Sequence, residues 1–368
     1  MKKARFISRI IVGIVFVFSG TVKAIDPLGT VYKLQDYFQA FHISFLKEFS
    51  LLFTIILCTA EFMAGFSVLF NIRQRKGIWI AIIMMIIFTP LTFVLALTNP
   101  VTDCGCFGDV IHLTNWETFF KNVVLLAPVL ILFINRKQDA AEKGVTREWT
   151  MLSITITLFV LFIFYNLRYL PLIDFLPYKT GTYIPDKMII PEGEATNQYK
   201  TTLIYEKDGV KKEFTIENYP AGDTTWKFID QRSVLIKKGY QPPIHDLTMT
   251  TPEGEDITQK ILSDPGYTLL MISPMLSKAS PQTLGKGLAL GHYCIDEGIS
   301  FYILTASGSD EIRSYNDGIS FCLTDETTLK TMVRSNPGYL LLKNGTIVGK
   351  WSWANVPSEG ELKELTNK

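Results

Sequence analysis

The feature that most constrains this chain is a series of apolar stretches of membrane length in its first half. They run roughly from Phe6 to Ala24, Phe49 to Phe70, Gly77 to Thr98, Trp116 to Ile134 and Trp149 to Tyr165. Each is near the ~20 residues that a helix needs to cross the hydrocarbon core of a bilayer. In hydrocarbon every backbone N–H and C=O must be satisfied within the segment, so these stretches predict five transmembrane helices. A hydrophobic fraction of 48% over 368 residues agrees, being high for a soluble chain. Lys2, Lys3, Arg5 and Arg9 ahead of the first stretch could flank a signal peptide. No small-residue cleavage site follows, so the first helix is expected to be retained. Pro90 and Pro128 fall inside spans, where neighbouring helices can satisfy the carbonyls they free.

Basic residues in the short connections set the expected orientation. Lys2, Lys3, Arg5 and Arg9 precede the first helix, Arg73, Arg75 and Lys76 lie between the second and third, and Arg136, Lys137, Lys143 and Arg147 between the fourth and fifth. The stretch from Asn99 to Asn115 has no Lys or Arg. The expected location is a bacterial inner membrane, with the N-terminus cytoplasmic and everything after Leu167 periplasmic. The lipid bilayer is one partner; a net charge of +1 without a long basic run argues against nucleic acid as another. Between the first two spans, Val31, Leu34, Tyr37, Phe38, Phe41 and Phe45 recur at helical spacing, as in a helix lying in the membrane interface or closing the top of the bundle.

After Leu167, prolines at 171, 177, 185 and 191 punctuate a linker. Thr201 to Tyr205 and Glu213 to Ile216, around Lys207-Asp208-Gly209, read as a hairpin. From Asp246 the order is strand (Tyr267 to Ile272), helix (Pro281 to Glu297), strand (Ser300 to Thr305), then strand (Ile319 to Leu323), helix (Glu326 to Arg334) and a hairpin (Tyr339 to Leu342, Ile347 to Trp351) turning at Asn344-Gly345. This is a βαβ-containing α/β unit of thioredoxin size. Four regions follow: 1–135, a transmembrane domain; 136–180, a cytoplasmic loop, fifth span and linker; 181–245, a β-rich linker or elaboration; and 246–368, the α/β domain.

Asp103-Cys104-Gly105-Cys106-Phe107-Gly108-Asp109 lies in the outer connection between the third and fourth spans. Two thiols separated by one glycine can close a very small ring, whose strain would favour a labile, oxidising disulfide. A structural disulfide, two packed free thiols, or a metal site completed by His112 or an Asp are the rival readings; the spacing is not that of the common zinc frameworks. Thr114-Asn115-Trp116-Glu117 has the form of a capping box. Glu61 near the middle of the second span is costly in lipid, which points to proton handling or a polar headgroup, or to a hydrogen bond that fixes packing. Lys23, near the outer end of the first span, is with Glu61 a candidate cofactor-binding residue, and Cys58 reads as an apolar filler. In the distal domain, Ser277 and Ser280 stand where a thioredoxin-type domain carries its cysteine pair, and serines cannot exchange disulfides. Asn336-Pro337-Gly338 stands where such folds place a cis proline, making Pro337 a candidate for contacting a partner segment added to a strand. Cys294 and Cys322 could pair or remain buried thiols.

The run Phe16-Val17-Phe18-Ser19-Gly20-Thr21-Val22-Lys23-Ala24-Ile25-Asp26-Pro27, Glu61 with Gly65, and the Asp-Cys-Gly-Cys-Phe-Gly loop resemble the DoxX and MauE-like membrane family over about residues 1 to 135. The resemblance implies a four-helix bundle with Cys104 and Cys106 as a redox pair, and links to methylamine utilisation, where MauE assists maturation of the disulfide-rich small subunit of methylamine dehydrogenase. A fifth helix with an outer domain is similar to the long DoxX-like proteins of Bacteroidota. Gly338 to Trp351 resembles the last hairpin of thioredoxin-like proteins. The expected fold is a membrane all-α bundle with a fifth helix, followed by an extracytoplasmic α/β thioredoxin-like domain without its cysteine pair. The expected function is thiol-disulfide redox or maturation of exported proteins, with a periplasmic or membrane protein as partner, a membrane quinone near Glu61 as candidate cofactor and no metal. A non-catalytic scaffold or assembly factor is the alternative.

Overall fold

The computed structural model describes residues 2–101, 104–137, 145–196, 198–207, 209–220, 222–237, 239–315 and 318–366. Asp103, Lys143 and Asp208, used above, lie outside these. The first half consists of α1 (Lys2–Ile25), α2 (Pro27–Ala40), α3 (Ser50–Phe70), α4 (Gln74–Thr98), α5 (Asn115–Ile134) and α6 (Val145–Arg168). All but α2 belong to segments long and apolar enough to cross a membrane, giving five among the described residues.

Small residues decide how α1 meets α3. A Cβ on Gly20 would fall 2.6 Å from the Phe62 nitrogen, and one on Gly65 would fall 2.5 Å from the Val17 nitrogen. The two backbones therefore touch, the arrangement by which membrane helices gain packing where lipid supplies no hydrophobic drive. Outside this pair, α6 lies against α3 with the Phe159 and Phe62 rings stacked at 4.0 Å.

Between them, α2 starts abruptly because Asp26 accepts a hydrogen bond from the Gly29 N–H and Pro27 opens the first turn. It ends earlier than its aromatic spacing predicts: His42 takes φ 58°, and Phe45 lies in a separate 3₁₀ turn, Ser44–Phe49. The two readings of this segment divide accordingly. Val31 is buried and Phe38 packs edge-on to Phe53 at the bundle end, whereas Phe41 and Phe45 point outward. At α5 the expected capping box is present, with Thr114 Oγ1 accepting from the Glu117 N–H and Glu117 Oε2 accepting from the Thr114 N–H.

After α6 comes the short α7 (Ile184–Met188), then an antiparallel sheet of β1 (Gln198–Lys207), β2 (Val210–Thr215) and β3 (Lys227–Lys237) in the order β2-β1-β3. The β3 strand extends the expected hairpin. The rest is α8 (Thr258–Leu262), β4 (Tyr267–Ile272), α9 (Pro281–Asp296), β5 (Ser300–Thr305), α10 (Ser309–Arg313), β6 (Ser320–Leu323), α11 (Glu326–Met332), β7 (Gly338–Lys343), β8 (Thr346–Ser352) and α12 (Glu359–Thr366). These strands form one sheet in the order β6-β5-β4-β7-β8, parallel across β4, β5 and β6 and antiparallel through β7 and β8. Alternate residues of β4 feed two cores: Leu270 and Ile272 join α8 and α11, while Leu269 and Met271 join α9.

The proline-punctuated stretch after α6 is packed onto this sheet rather than loose. Tyr178 and Ile184 are 2% and 0% exposed, the Gly181 N–H donates to the Ile347 carbonyl at 2.7 Å, and Lys350 Nζ lies 2.5 Å from Asp174 Oδ2. The apolar side chains in it outweigh the breaks that the prolines impose.

Candidate functional site

The contact of α1 with α3 fixes the innermost layer of the site. Ser19 and Lys23 lie one helical turn apart on α1 and face Glu61 of α3. Lys23 Nζ is 2.7 and 2.9 Å from the two Glu61 oxygens and 2.7 Å from Ser19 Oγ. Lys23, Glu61 and Ser19 are 5%, 6% and 9% exposed. Two residues that the sequence placed at different depths thus form one buried ion pair, and the costly Glu61 carboxylate has a partner of opposite charge. Cys58, fully buried one turn before Glu61, is filler as expected.

The thiol loop sits directly on this layer. Ser19 Oγ is 2.8 Å from Glu61 Oε2 and 2.9 Å from the Cys106 carbonyl oxygen, so its single proton can go to either. On the other side, the Tyr37 hydroxyl of α2 donates to the Cys104 carbonyl at 2.5 Å. Gly105 and Gly108 adopt φ 61° and 54°, a turn that side-chain-bearing residues enter at a cost, and the Lys33 stem lies across Gly105. The turn leaves the sulfurs of Cys104 and Cys106 3.0 Å apart as free thiols, both half-buried.

The environment divides the two thiols. The hydrogen bond from Cys104 lowers the Cys106 thiol most; the ammonium groups of Lys121 and Lys23 add to it, and against the effect of burial it is pulled down to about 6. Cys104 is pushed far up, first by that same hydrogen bond and then by burial. Either sulfur can donate across the 3.0 Å contact, and the ammonium groups of Lys121 and Lys23 near Cys106 favour the thiolate there, with Cys104 as the proton-bearing partner.

Above the ion pair lies a cavity of about 110 Å³, lined by Ser19, Lys23, Glu61, Tyr37 and both cysteines, with Leu57, Met85 and Phe88 on its apolar wall. That is somewhat smaller than the ~150 Å³ apolar cavity that accepts a benzene ring. Val15, Phe107, Lys121 and Leu125 also border a groove between α1 and α5, so the cavity adjoins the lipid-facing surface. Lys121 Nζ lies 4.4 Å from the Phe107 ring centre. Among the described residues no group of three or more His, Cys, Asp or Glu side chains gathers to hold a metal, and His112 is exposed.

The distal domain reaches the same loop through a residue without a sequence signal. Arg334 Nε is 2.8 Å from Asp26 Oδ2, its Nη2 is 2.7 Å from Asp109 Oδ2, and its guanidinium lies 5.5 Å from the Tyr32 ring centre. Pro337 follows a cis peptide bond and is buried. Its loop is tied to the one after β4, where Ser273 Oγ donates to Asn336 Oδ1 and Asn336 Nδ2 donates to the Met275 carbonyl. From Gly338 onward β7 is paired on both sides, by β4 and β8, so a partner segment could meet this chain only at or before Pro337. Ser277 is exposed, and Ser280 caps α9 by accepting from the Thr283 N–H. Cys294 and Cys322 belong to the cores on opposite faces of the sheet, which leaves them as two buried thiols, each pushed up to about 12 by burial.

Residues 199–238, which contain most of the three-stranded sheet, match a domain of unknown function, DUF8463. Comparison with curated proteins and with solved structures finds no match. Residues 1–135, comprising the first four spans, the Lys23–Glu61 pair and the thiol loop, match the family described as methylamine utilisation protein MauE, and the membrane half of the chain is similar to that family.

Proposed function

We propose that this is a bacterial inner-membrane protein that exchanges thiols and disulfides with exported proteins, using Cys104 and Cys106. The observation that carries this is a pair of free thiols 3.0 Å apart on a loop held by Ser19 and Tyr37, with Cys106 beside the buried Lys23–Glu61 pair. The Cys106 thiolate attacks one sulfur of a client disulfide, forming a mixed disulfide and releasing the other client sulfur as a thiolate. Cys104 then loses its proton and attacks the Cys106 sulfur. This closes the Cys104–Cys106 bond and releases the second client thiolate, which takes up a proton. In reverse the pair oxidises a client dithiol. In that oxidising direction the pair ends as a dithiol, and a membrane quinone would supply the acceptor for its two electrons and two protons; Glu61 and Lys23 would face a ring that reaches the pair from the adjoining groove between α1 and α5, since the cavity over Glu61 alone is too small to hold one.

The basic connections at one end of the bundle support a cytoplasmic N-terminus, with the thiol loop and the sheet domain in the periplasm. The order β6-β5-β4-β7-β8, with α9 between β4 and β5, supports reading residues 246–368 as a thioredoxin-like domain. It has no cysteine at Ser277 or Ser280, which favours a role in binding for that domain. The likeness to MauE supports a place in maturing an exported partner protein.

The test is to trap cellular thiols with an alkylating reagent in wild-type cells and in Cys104→Ser and Cys106→Ser variants. A partly reduced pair, with mixed disulfides accumulating on Cys106 in Cys104→Ser, is expected. A pair that is always oxidised, with both variants fully functional, would sink the proposal and favour the scaffold. For the quinone, Glu61→Gln should change the redox state of the pair when respiration is blocked; an unchanged state removes that step.

A further inference from the structure

The loop that carries the thiols is held in place by a residue of the other domain. Asp109 follows Cys106 by three residues, and Asp26 caps α2, the helix whose Tyr37 holds the Cys104 carbonyl. Both carboxylates close on one guanidinium, that of Arg334, whose side chain is 7% exposed. Its third nitrogen is engaged too, with Nη1 2.5 Å from the Lys330 carbonyl. Burial disfavours the guanidinium charge, but the two carboxylates more than offset this and hold it protonated above its ordinary range. Without it, two carboxylates from the two segments that frame the thiol turn would repel each other across a largely buried contact.

We propose that Arg334 is a positioning residue for the thiol pair: by joining Asp26 to Asp109 it fixes the loop, so that docking of the sheet domain sets the reactivity of Cys104 and Cys106. The proposal rests on the redox reading above. It gives the cysteine-free sheet domain a role in the chemistry that needs no thiol of its own.

The test uses the full chain, purified in detergent and reduced, with alkylation of Cys106 followed by mass spectrometry as a function of pH. In the wild type the rate should rise through a midpoint below that of an ordinary thiol, because the hydrogen bond with Cys104 and the ammonium groups of Lys121 and Lys23 favour the Cys106 thiolate. Arg334→Gln should move the midpoint toward the ~8.5 of an ordinary thiol, because a loosened loop separates the sulfurs. Loss of a nearby cation would also raise it, so Asp109→Asn decides. Removing a carboxylate lowers the midpoint if charge alone acts, whereas freeing the loop raises it. Asp109→Asn also keeps the Arg334–Asp26 contact, so it serves if Arg334→Gln does not fold. A rise in Asp109→Asn, with Arg334→Lys restoring part of the Arg334→Gln shift, is the expected result. A lowered or unchanged midpoint in folded Asp109→Asn protein overturns the proposal. Failure of the redox reading would show separately, as an absence of mixed disulfides in cells, since the alkylation profile of reduced protein is independent of whether the cell uses the pair.

Discussion

Lys23 and Glu61 place opposite charges inside an apolar bundle, where each alone would be costly and together they leave few polar atoms unpaired. Removing one partner of such a pair typically costs about 3–5 kcal/mol, because the other ion stays buried, while replacing both by apolar groups of similar size is often neutral. Glu61→Leu and Lys23→Leu should each lower unfolding stability in detergent by that amount, and the double variant should recover most of it. A double-mutant cycle with no coupling would show that the pair does not act as a unit. If the pair also serves the chemistry, the double variant regains stability but not thiol exchange. Glu61 could be singled out from the sequence because an acid in a membrane span is conspicuous. Its partner could not, because Lys23 near a span end is equally compatible with reaching toward lipid headgroups.

At the scale of elements, the site depends on how closely α1 approaches α3. A Cβ on Gly65 would meet the backbone nitrogen of Val17, and backbone cannot rotate away as a side chain can. Gly65→Ala should therefore cost about 1–3 kcal/mol, the usual penalty for overpacking, and Gly65→Leu should separate Lys23 from Glu61 altogether. Gly285 in α9 is the control, with nothing within 4 Å of its would-be Cβ; Ala there should leave stability unchanged or raise it by about 0.5–1 kcal/mol. Equal effects at the two positions, read from unfolding midpoints in detergent, would refute the packing argument. The transmembrane helices and the strands of the larger sheet follow closely from local pattern, since both are written in runs of apolar residues at a fixed period. The end of α2 does not, because its aromatic spacing continues through the break at His42.

Across the whole molecule, two kinds of attachment stand out. The larger sheet is fastened to the bundle by Arg334 on Asp26 and Asp109, while Lys350 on Asp174 and Ser352 Oγ on the Arg168 carbonyl tie it to the segment leaving α6. The three-stranded sheet is an excursion whose ends meet, with the Tyr240 N–H donating to the Ala195 carbonyl at 2.7 Å. Val210, Ile216 and Phe228 stay exposed, while Tyr205, Phe214 and Trp226 pack on rings within the unit itself. Replacing residues 198–237 by a short Gly-Ser link should thus leave the unfolding transition of the remainder within about 0.5 kcal/mol, since few contacts of the two cores are lost. A large destabilisation would show that this unit supports the rest of the fold. Neither attachment was legible beforehand: the prolines after α6 suggested a free linker, and an arginine gives no sign of carboxylates 225 and 308 residues away.

By itself the sequence determined the membrane spans, the α/β character of the distal domain, the suspicion attached to Glu61 and the thiol pair, and the inability of Ser277 and Ser280 to exchange disulfides. These follow from length, periodicity and side-chain chemistry, which are local properties. Only the tertiary structure decided that Lys23 neutralises Glu61, that Ser19 and Tyr37 hold the thiol loop from two sides, that Cys294 and Cys322 lie on opposite faces of a sheet, and that Arg334 closes the distal domain onto the loop. Each of these is a contact between distant segments, set by helix approach and domain docking, to which local pattern carries no information.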